Sequence, residues 1–395
     1  MSLLFGRSAR PGREHRAAAF SERPIPGPAE TGSTSYAAID LSRAEASLQQ
    51  VAIWACIDLT CSAIETMPID CFRNTSDGPK SITTPGYLLD LGGEGHGTGD
   101  WLWQALYSWM TRGNQVGTVL ARSPAGTPTQ VVLHHPDDVR PLRLDDGTYE
   151  WLINGRRVDA SSVWHKRVFP VPGHLMGLSP IGMHALTIGT GLAAARFGAA
   201  WFEDGGHPSA LLTNTETALD QQQAATVKAR FLAALRGTRE PVVMGKGWKY
   251  EAISVPANES QFLETMGYSS AECCRIYGPG YADVFGYETG GSLTYSNVEQ
   301  RSLDLLTYAI NPWLVRLERL LSSLLPQPQY VRFNRDSLVR TDLLTRYRAH
   351  EIALRNQWAV VNEVRVLEDS GPVPWGDQPN GPTTAPPPAP APEEG

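Results

Sequence analysis

Cysteine is scarce in this chain of 395 residues. There are five cysteines, an odd number, and no two of them form a Cys-x-x-Cys pair. This pattern speaks against a disulfide framework and a zinc site, and it favours buried thiols in a reducing compartment. The five are Cys56, Cys61, Cys71, Cys273 and Cys274.

Long hydrophobic runs are also missing. The least polar stretch, residues 181–200, contains His184, Arg196 and four glycines, which makes it a poor membrane span. The first five residues are followed by glycine, arginine and further polar residues, so no signal peptide is predicted. We therefore expect no membrane partner and synthesis inside the cell.

The chain has no excess of positive charge. It contains 34 lysine and arginine residues against 41 aspartate and glutamate residues, a formal net charge of −7. Proteins that hold nucleic acid tightly usually present a basic surface. Any contact with DNA is therefore expected to be weak.

Catalytic motifs are absent or incomplete. Residues 177–181, Gly-Leu-Ser-Pro-Ile, resemble a nucleophile elbow, but the second glycine is missing and Pro180 follows the serine. A helix N-cap at Ser179 with proline at the first helical position explains them better. Residues 245–247, Gly-Lys-Gly, lack the rest of a phosphate-binding loop and are interpreted as a turn.

Two groups of residues allow more than one interpretation. His134 and His135, with Asp137 and Asp138, could seed a metal site, but adjacent histidines on a strand point to opposite faces, so we expect neither a metal nor a cofactor.

Among the eleven tryptophans, Trp101, Trp103 and Trp109 could stack on sugars, which keeps a carbohydrate-active enzyme open as the second hypothesis. Trp101 and Trp109 lie close to one helical face, however, and a core or interface stripe is favoured. A pocket that brings two carboxylates together near a tryptophan would distinguish the two.

The order of apolar patterns predicts an α+β fold. Residues 1–35 and the proline-rich residues 371–395 are expected to lack order, because they contain too little apolar surface to bury. Residues 116–169 predict an antiparallel meander, and 241–255 predict a hairpin. Further strands are predicted at 69–73, 209–213 and 330–333. Helices are predicted over 44–66, from Asp100 as N-cap, and over 179–204, 217–236, 259–277, 297–325 and 341–367.

The helix over 179–204 carries a row of small residues at steps of three to seven positions. Each glycine costs a helix roughly 1 kcal/mol relative to alanine, so several of them call for a packing reason. A core helix that tolerates glycine is one explanation, and close packing between subunits is the one we favour. The row consists of Gly182, Ala185, Gly189, Ala193 and Ala200.

At this point the order of motifs, from about residue 46 to residue 377, resembles the HK97-type phage portal family. One segment departs from it: residues 278–281, Gly-Pro-Gly-Tyr, stand where the family usually has Gly-Val-Pro-Pro. The motifs that carry the resemblance are residues 51–58 and 67–69, Arg112-Gly113-Asn114, residues 133–139, Val163-Trp164-His165, residues 177–181, 201–212 and 294–300, Asn311-Pro312 and residues 362–365 with Glu368.

The resemblance implies a non-enzymatic portal fold that assembles as a dodecameric ring at one capsid vertex of a virion, after assembly in the host cytoplasm. Its parts would be an N-terminal arm (1–44), a wing (45–178 and 278–340), a stem of long helices (179–204 and 259–277), an α/β clip (205–258), a helical crown (341–370) and a tail (371–395). Double-stranded DNA would pass through it non-specifically. Its protein partners would be the major capsid protein, the terminase large subunit and a head–tail adaptor.

The resemblance also implies two sets of functional residues. The clip would contact partners through Asp220, Lys228, Arg230 and Arg236. The DNA channel loop would consist of Tyr287, Glu288, Thr289, Ser292, Leu293, Thr294 and Tyr295.

Overall fold

The computed structural model of the protein divides into two compact units, Met1–Phe333 and Asn334–Gly395. The described residues are 23–36, 38–93, 95–203, 210–216, 220–235, 247–252, 259–287, 301–335, 343–368 and 370–378. Helices and small sheets alternate along them, so the predicted α+β class is confirmed.

All strand pairs among the described residues are antiparallel. The sheets have the orders β1-β8-β9-β10, β11-β6-β7, β14-β4-β5, β12-β13 and β2-β3. The strands are β1 Arg23–Pro24, β2 Ser35–Tyr36, β3 Ile39–Asp40, β4 Ile69–Thr75, β5 Gly78–Ile82, β6 Asn114–Arg122, β7 Pro128–His134, β8 Val139–Arg143, β9 Tyr149–Ile153, β10 Arg156–Val158, β11 Val163–Arg167, β12 Ala210–Asn214, β13 Trp248–Ala252 and β14 Gln329–Phe333.

Three of the predicted helices are each divided into two. The helix predicted over 179–204 breaks at His184, whose backbone angles (φ −110°, ψ 22°) are not helical, and the last helix breaks before Gln357, which has φ 60°. The helices are α1 Ala44–Ser47, α2 Val51–Glu65, α3 Gly97–Arg112, α4 Pro180–Met183, α5 Ala185–Glu203, α6 Gln221–Leu235, α7 Glu259–Arg275, α8 Tyr281–Val284, α9 Asn311–Ser322, α10 Leu343–Arg355 and α11 Val361–Leu367.

The start of α3 also differs from the prediction. The helix begins at Gly97, so Asp100 lies in its first turn and is not the N-cap. The Asp100 carboxylate accepts a hydrogen bond from Gln104 Nε2 (2.9 Å) one turn later. The acidic residue still lies where the helix dipole favours negative charge.

The predicted meander forms two sheets instead of one. A short 3-10 turn, Pro136–Asp138, separates β7 from β8 and redirects the chain, while the predicted turns at Gly126, Gly147 and Gly155 are confirmed by their positive φ angles. Side chains from both sheets then share one apolar cluster, formed by Val116, Val139, Trp151, Ile153 and Met176.

The main helical core lies where α2, α3 and α7 pack together. Trp101 and Trp109 are both 2% exposed, and their indole nitrogens donate to the carbonyls of Val131 (2.9 Å) and Lys166 (3.0 Å). The prediction of a core stripe is confirmed. All five cysteines are buried and none forms a disulfide bond, as the sequence indicates.

The helix predicted over 297–325 is described from residue 301. Residues 301–304 are helical, the turn Leu305–Ile310 is a π-helix, and α9 follows at once. Pro312 lacks an N–H and would clash with the carbonyl four residues earlier in a regular α-helix. The wider π turn relieves that clash.

Residues 23–36 and 38–44, which we call the strap, were expected to lack order in their first part. The structure contradicts this: β1 pairs with β8, and Pro28, Ile39, Leu41 and Ala44 are buried. The order comes from docking onto distant parts of the chain, which local composition does not reveal.

The first part of the predicted tail is ordered. Residues 371–378 fold back on α11, where the Asn362 side chain accepts from the amide of Val373 (2.8 Å) and donates to Asp377 Oδ1 (2.8 Å). Among the described residues, no helix is both long enough and apolar enough to cross a bilayer.

Candidate functional site: the junction below the long helix

Four of the motifs that carried the resemblance, 112–114, 133–139, 163–165 and 177–181, meet at one point, where α3, β6, β11 and α4 come together. We call this point the helix junction and define it by residues 112–114, Asp137, His165 and 177–179. These residues are far apart in sequence, and most are buried. The sequence indicated the motifs but not that they touch.

Asn114 holds the junction together. Its side-chain nitrogen donates to the carbonyls of Arg112 and Gly177, both at 2.8 Å. Its side-chain oxygen accepts from the Gly177 amide (2.8 Å) and lies 3.1 Å from His165 Nε2. Since Asn114 is fully buried, these bonds satisfy polar groups that water cannot reach.

A buried ion pair ties the junction to the strap. The Arg112 and Asp137 side chains are 0% and 1% exposed, and Nε lies 2.5 Å from Oδ1. Arg112 Nη2 donates to the carbonyls of Leu41 and Ser42 (2.9 Å each), and Asp137 Oδ2 accepts from the Ala44 amide (2.7 Å). Removing one partner would leave an unpaired buried charge, so the pair works as a unit.

Two glycines allow the backbones to approach. Gly113 has φ 68° and ends α3, and a Cβ there would lie 2.0 Å from the Leu178 carbonyl oxygen. A Cβ on Gly177 would lie 1.9 Å from the carbonyl oxygen of Val168. No side chain fits at either position.

Ser179 fixes the start of the helix, as predicted. Its hydroxyl accepts from the Gly182 amide (3.0 Å) and donates to the Thr111 carbonyl (3.1 Å). Its own amide donates to Thr31 Oγ1 of the strap (2.7 Å). With Pro180 at the first helical position, the serine is an N-cap and not a nucleophile.

The glycine row on α4 and α5 packs within the chain, contrary to the favoured interpretation. A Cβ on Gly182 would lie 3.0 Å from Gly32 Cα, and one on Gly189 would lie 2.8 Å from the Tyr36 ring, so both glycines are covered by the strap. Gly191, outside the predicted row, faces Ser269 of α7. The small residues are explained by intrachain contacts at these positions.

The rest of the row differs in burial. Ala185 is buried, Ala193 is half-buried and Ala200 is exposed. Beside them on the same helices lies a row of large apolar side chains that are 54% to 59% exposed, which we call the apolar ridge. It consists of Met183, Leu186 and Phe197.

The clip residues are described in part. Asp220 directly precedes α6, and its carboxylate accepts from the Gln221 amide (2.6 Å), while Lys228 and Arg230 are exposed on the helix surface. Arg236 lies outside the described residues. Of the predicted hairpin over 241–255, the described arm is β13, and it pairs with β12.

The channel loop lies almost wholly outside the described residues. Tyr287 is its one described member: its ring lies 6.3 Å from that of Phe285, its amide donates to the Ala282 carbonyl (2.9 Å), and partial burial raises the pKa of its hydroxyl. The other six, Glu288, Thr289, Ser292, Leu293, Thr294 and Tyr295, are not described.

The segment that departs from the family pattern forms a tight turn. Gly278 and Gly280 have φ of 129° and 93°, and a Cβ on Gly280 would lie 3.0 Å from Leu305 Cα. Tyr281 follows as a fully buried residue whose hydroxyl is hydrogen-bonded to Thr60. Residues 278–281 therefore still form a turn, although their sequence differs from the usual Gly-Val-Pro-Pro.

One pocket does contain two carboxylates and a tryptophan: a cavity of about 230 Å³ lined by Asp90, Asp100 and Trp101. However, the Trp101 ring is buried, and the two Asp90 oxygens accept from the amides of Gly93 (3.1 Å) and Gly95 (3.0 Å). No aromatic face is open in this pocket to stack on a sugar. The Asp90 carboxylate instead fixes the loop that contains Gly93 and Gly95.

The candidate metal residues separate as expected. His134 Nε2 lies 2.8 Å from Thr118 Oγ1, whereas His135 Nε2 lies 2.8 Å from Glu45 on the other side of the chain. Glu45, His135 and Asp137 do cluster, but both oxygens of Asp137 are engaged by Arg112 and the Ala44 amide.

Comparison with known proteins agrees with this architecture. The family model described as "Phage portal protein" matches residues 51–369. A probable portal protein of Streptomyces phage phiC31 is 25% identical, over 95% of this chain and 86% of its own length. The portal protein of Enterobacteria phage HK97 is 22% identical, over 84% and 81%.

Solved structures show the same fold. An HK97-family phage portal protein from Corynebacterium diphtheriae superposes with a TM-score of 0.54 at 16% identity, covering 75% of this chain and 97% of that one. A chain in the neck of a native gene transfer agent particle, computed with C12 symmetry, gives a TM-score of 0.55 at 18% identity, covering 89% and 96%.

Proposed function

Because the chain belongs to the phage portal protein family, whose members are structural components and not enzymes, we propose that it forms a closed dodecameric ring at one capsid vertex. The ring would conduct DNA during packaging and ejection. The observation that carries the proposal is the family match over residues 51–369, and the twelvefold neck assembly of a protein with the same fold supports the ring.

The apolar ridge supports the ring physically. Met183, Leu186 and Phe197 expose large side chains on the two helices that leave the helix junction, and helical spacing puts Leu186 and Phe197 on the same face of α5. Burying such a side chain stabilises an interface by roughly 1.5–3 kcal/mol. A head-to-tail contact around a closed ring would cover this ridge in every subunit. The stem contact would then involve the ridge with Ala193 and Ala200, and not the glycines under the strap.

The charge of the chain fits a conduit. Every subunit brings a formal net charge of −7, so a ring of them carries a net negative charge, which disfavours tight binding of phosphate. Strong phosphate contacts would hold DNA in place. A lumen that only lightly touches the backbone lets double-stranded DNA pass without regard to sequence.

The clip would bind the partner proteins. The described part of α6 presents Lys228 and Arg230 to solvent, where an acidic surface of the terminase large subunit or of a head–tail adaptor could pair with them. The wing would contact the major capsid protein. In this proposal the assembly takes place in the host cytoplasm and the finished ring belongs to the virion.

Leu186→Glu tests the ring. A carboxylate on the apolar ridge would have to be desolvated in each contact, which costs several kcal/mol. We expect native mass spectrometry to show large rings, near twelve copies, for the natural chain and subunits for the variant. The matched control is Ala195→Glu, an exposed residue on the opposite face of α5, which should keep the rings. A natural chain that stays monomeric, or intact rings with Leu186→Glu, would contradict the proposal.

A further inference from the structure

A concave surface of the unit Met1–Phe333 lies between α2, α3 and the end of β7. It encloses a cavity of about 310 Å³, at the lower end of the volumes that ligand pockets span. None of the residues that line it is a lysine, an arginine, an aspartate or a glutamate. We call it the aromatic groove and define it by Trp54, Trp103, Tyr107, Leu133, His135 and Pro136.

Four rings line the groove in two pairs. The Trp54 ring of α2 lies 6.2 Å from the Trp103 ring of α3. The Tyr107 ring lies 6.2 Å from that of His135, and it shares a face of α3 with Trp103, since the two are four residues apart. Trp54 is 44% exposed, and Trp103 and Tyr107 are half-buried. Apolar ring surface therefore remains open to solvent along the groove.

The same rings bring hydrogen-bond donors. The indole N–H groups of Trp101 and Trp109, deeper in the core, both donate to carbonyls. Within the described part of the chain, no hydrogen bond is formed by the indole N–H of Trp54, the indole N–H of Trp103 or the hydroxyl of Tyr107. The groove thus suits an uncharged ligand that combines apolar bulk with hydrogen-bond acceptors.

A proline-rich segment has this chemistry. Each proline has an apolar ring and a carbonyl acceptor but no N–H donor. Runs of proline favour the polyproline II helix, which has no internal hydrogen bonds, so that its carbonyls stay free. Such segments dock into aromatic-lined grooves because the preformed helix loses little conformational entropy on binding. A sugar would instead bring many hydroxyl donors, and no carboxylate lines the groove to accept from them.

The chain itself contains such a segment. The described residues end at 378, and 17 further residues follow in the sequence. Residues 385–392, Ala-Pro-Pro-Pro-Ala-Pro-Ala-Pro, contain five prolines and no charged residue, and Pro387 and Pro390 form a Pro-x-x-Pro pattern. At about 3.1 Å per residue, this segment spans about 25 Å, enough to reach over both ring pairs, which lie about one helical turn apart along α3.

We propose that the aromatic groove binds the proline-rich segment 385–392 of this chain. Prolyl rings would pack against Trp54 and Trp103, and the free carbonyls would accept from the indole N–H groups and from the Tyr107 hydroxyl. This contact goes beyond the family match, which ends at residue 369. It does not depend on the ring, because every subunit contains both the groove and the segment.

Binding of a fluorescein-labelled peptide of residues 383–395 to the full chain, followed by fluorescence anisotropy, tests the proposal. The groove is freed in a full-length variant, the alanine-tail chain, in which all five prolines of 385–392 are replaced by alanine. We expect saturable binding to the alanine-tail chain. Apparent binding to the natural chain should be at least about tenfold weaker, because the attached segment competes at a high effective concentration. A peptide with the same five alanines should bind neither chain.

Variants of the groove, made in the alanine-tail chain, locate the binding site. Trp54→Ala removes an open ring and should weaken peptide binding at least about tenfold. Tyr107→Phe keeps the ring and its packing and removes only the hydroxyl, so it should weaken binding about threefold or more while the chain stays folded. The matched control is Trp358→Ala, at a tryptophan of the other unit that is 72% exposed, and it should leave the affinity unchanged.

The other outcomes would overturn the proposal, each in its own way. Absence of binding to the alanine-tail chain would show that the groove does not take this segment. Unchanged affinity in both groove variants would place the peptide elsewhere. Equal affinity of the natural and alanine-tail chains would assign the groove to a proline-rich segment of a partner protein and not to this tail. Failure to form rings is measured separately, by mass, and leaves these results unaffected.

Discussion

Protonating the His165 imidazole in the folded protein costs free energy. Burial, together with the charges of Arg167 and Lys166, lowers the pKa of its imidazole to about 4. Its Nε2 lies 3.1 Å from the side-chain oxygen of Asn114, so the neutral ring serves the helix junction as a hydrogen-bond donor. Protonation of His165 would therefore affect its contact with Asn114 in the helix junction.

The stability of the protein should therefore fall in acid. Well above pH 6.5 the histidine is neutral in both the folded and the unfolded chain, so it contributes no pH dependence there. Below its unfolded pKa of about 6.5 the unfolded chain binds a proton that the folded one excludes until about pH 4. The free energy of unfolding should lose about 2 kcal/mol through this group by about pH 5.

His165→Gln checks this sign. Glutamine can still donate to Asn114 but does not titrate, so urea midpoints near pH 7 and near pH 5 should differ less in the variant than in the natural chain. His174→Gln, at an exposed histidine, serves as the control and should keep the natural difference. An unchanged pH dependence in His165→Gln would show that the imidazole titrates alike in both states.

At the scale of elements, the strap packs directly against α4 and α5. Gly32 lies against Gly182, Tyr36 lies against Gly189, and Thr31 bonds to the amide that starts the helix. The helix breaks at His184, between the two covered glycines. The strap thus covers both segments beside the break.

Gly189→Leu should loosen the strap. The new side chain would collide with the Tyr36 ring, and overpacking of this kind costs about 1–3 kcal/mol. We expect a lower urea midpoint, and partial recovery in the double variant Gly189→Leu with Tyr36→Ala, which opens the space.

A glycine in open space provides the matched comparison. Gly267 lies on α7, where an added Cβ would meet no neighbouring atom within 4 Å, so Gly267→Leu should be neutral or stabilising by up to roughly 1 kcal/mol. Equal effects of the two leucine substitutions would contradict the assigned contact at Gly189.

For the whole molecule, the proposed passage of DNA requires that the ring interact only weakly with the duplex. The net charge is negative, and the channel loop proposed from the family contains Ser292 and Thr294 but no cation among residues 287–295. Adding phosphate contacts at this loop would hold the duplex and oppose its movement.

Ser292→Arg with Thr294→Arg should leave the ring intact and slow DNA packaging, with a larger defect at low salt because screening is weaker there. Packaging measured at two ionic strengths decides this. Ser76→Arg with Ser81→Arg adds the same charge at exposed positions of β4–β5 and should package normally. Natural rates for the loop variant at both salt concentrations would place the loop away from DNA.

The sequence by itself determined most of the elements. Apolar periodicity located α2, α3, α7 and the core tryptophans, because a helical face that must be buried repeats at a fixed spacing. Glycines with positive φ marked the hairpin turns, and Ser179 with Pro180 marked the start of the long helix. Each of these signals depends on residues close together in the chain.

Only the tertiary structure decided which distant residues meet. The strap looked disordered because its stability comes from contacts with residues about 70 to 150 positions away, and the break at His184 lies within an uninterrupted apolar pattern. The Arg112–Asp137 pair could have been suspected from two charged residues in the matching motifs, but no spacing rule joins positions 112 and 137. Local pattern reports what a segment prefers, whereas burial and pairing depend on the partner that the fold brings to it.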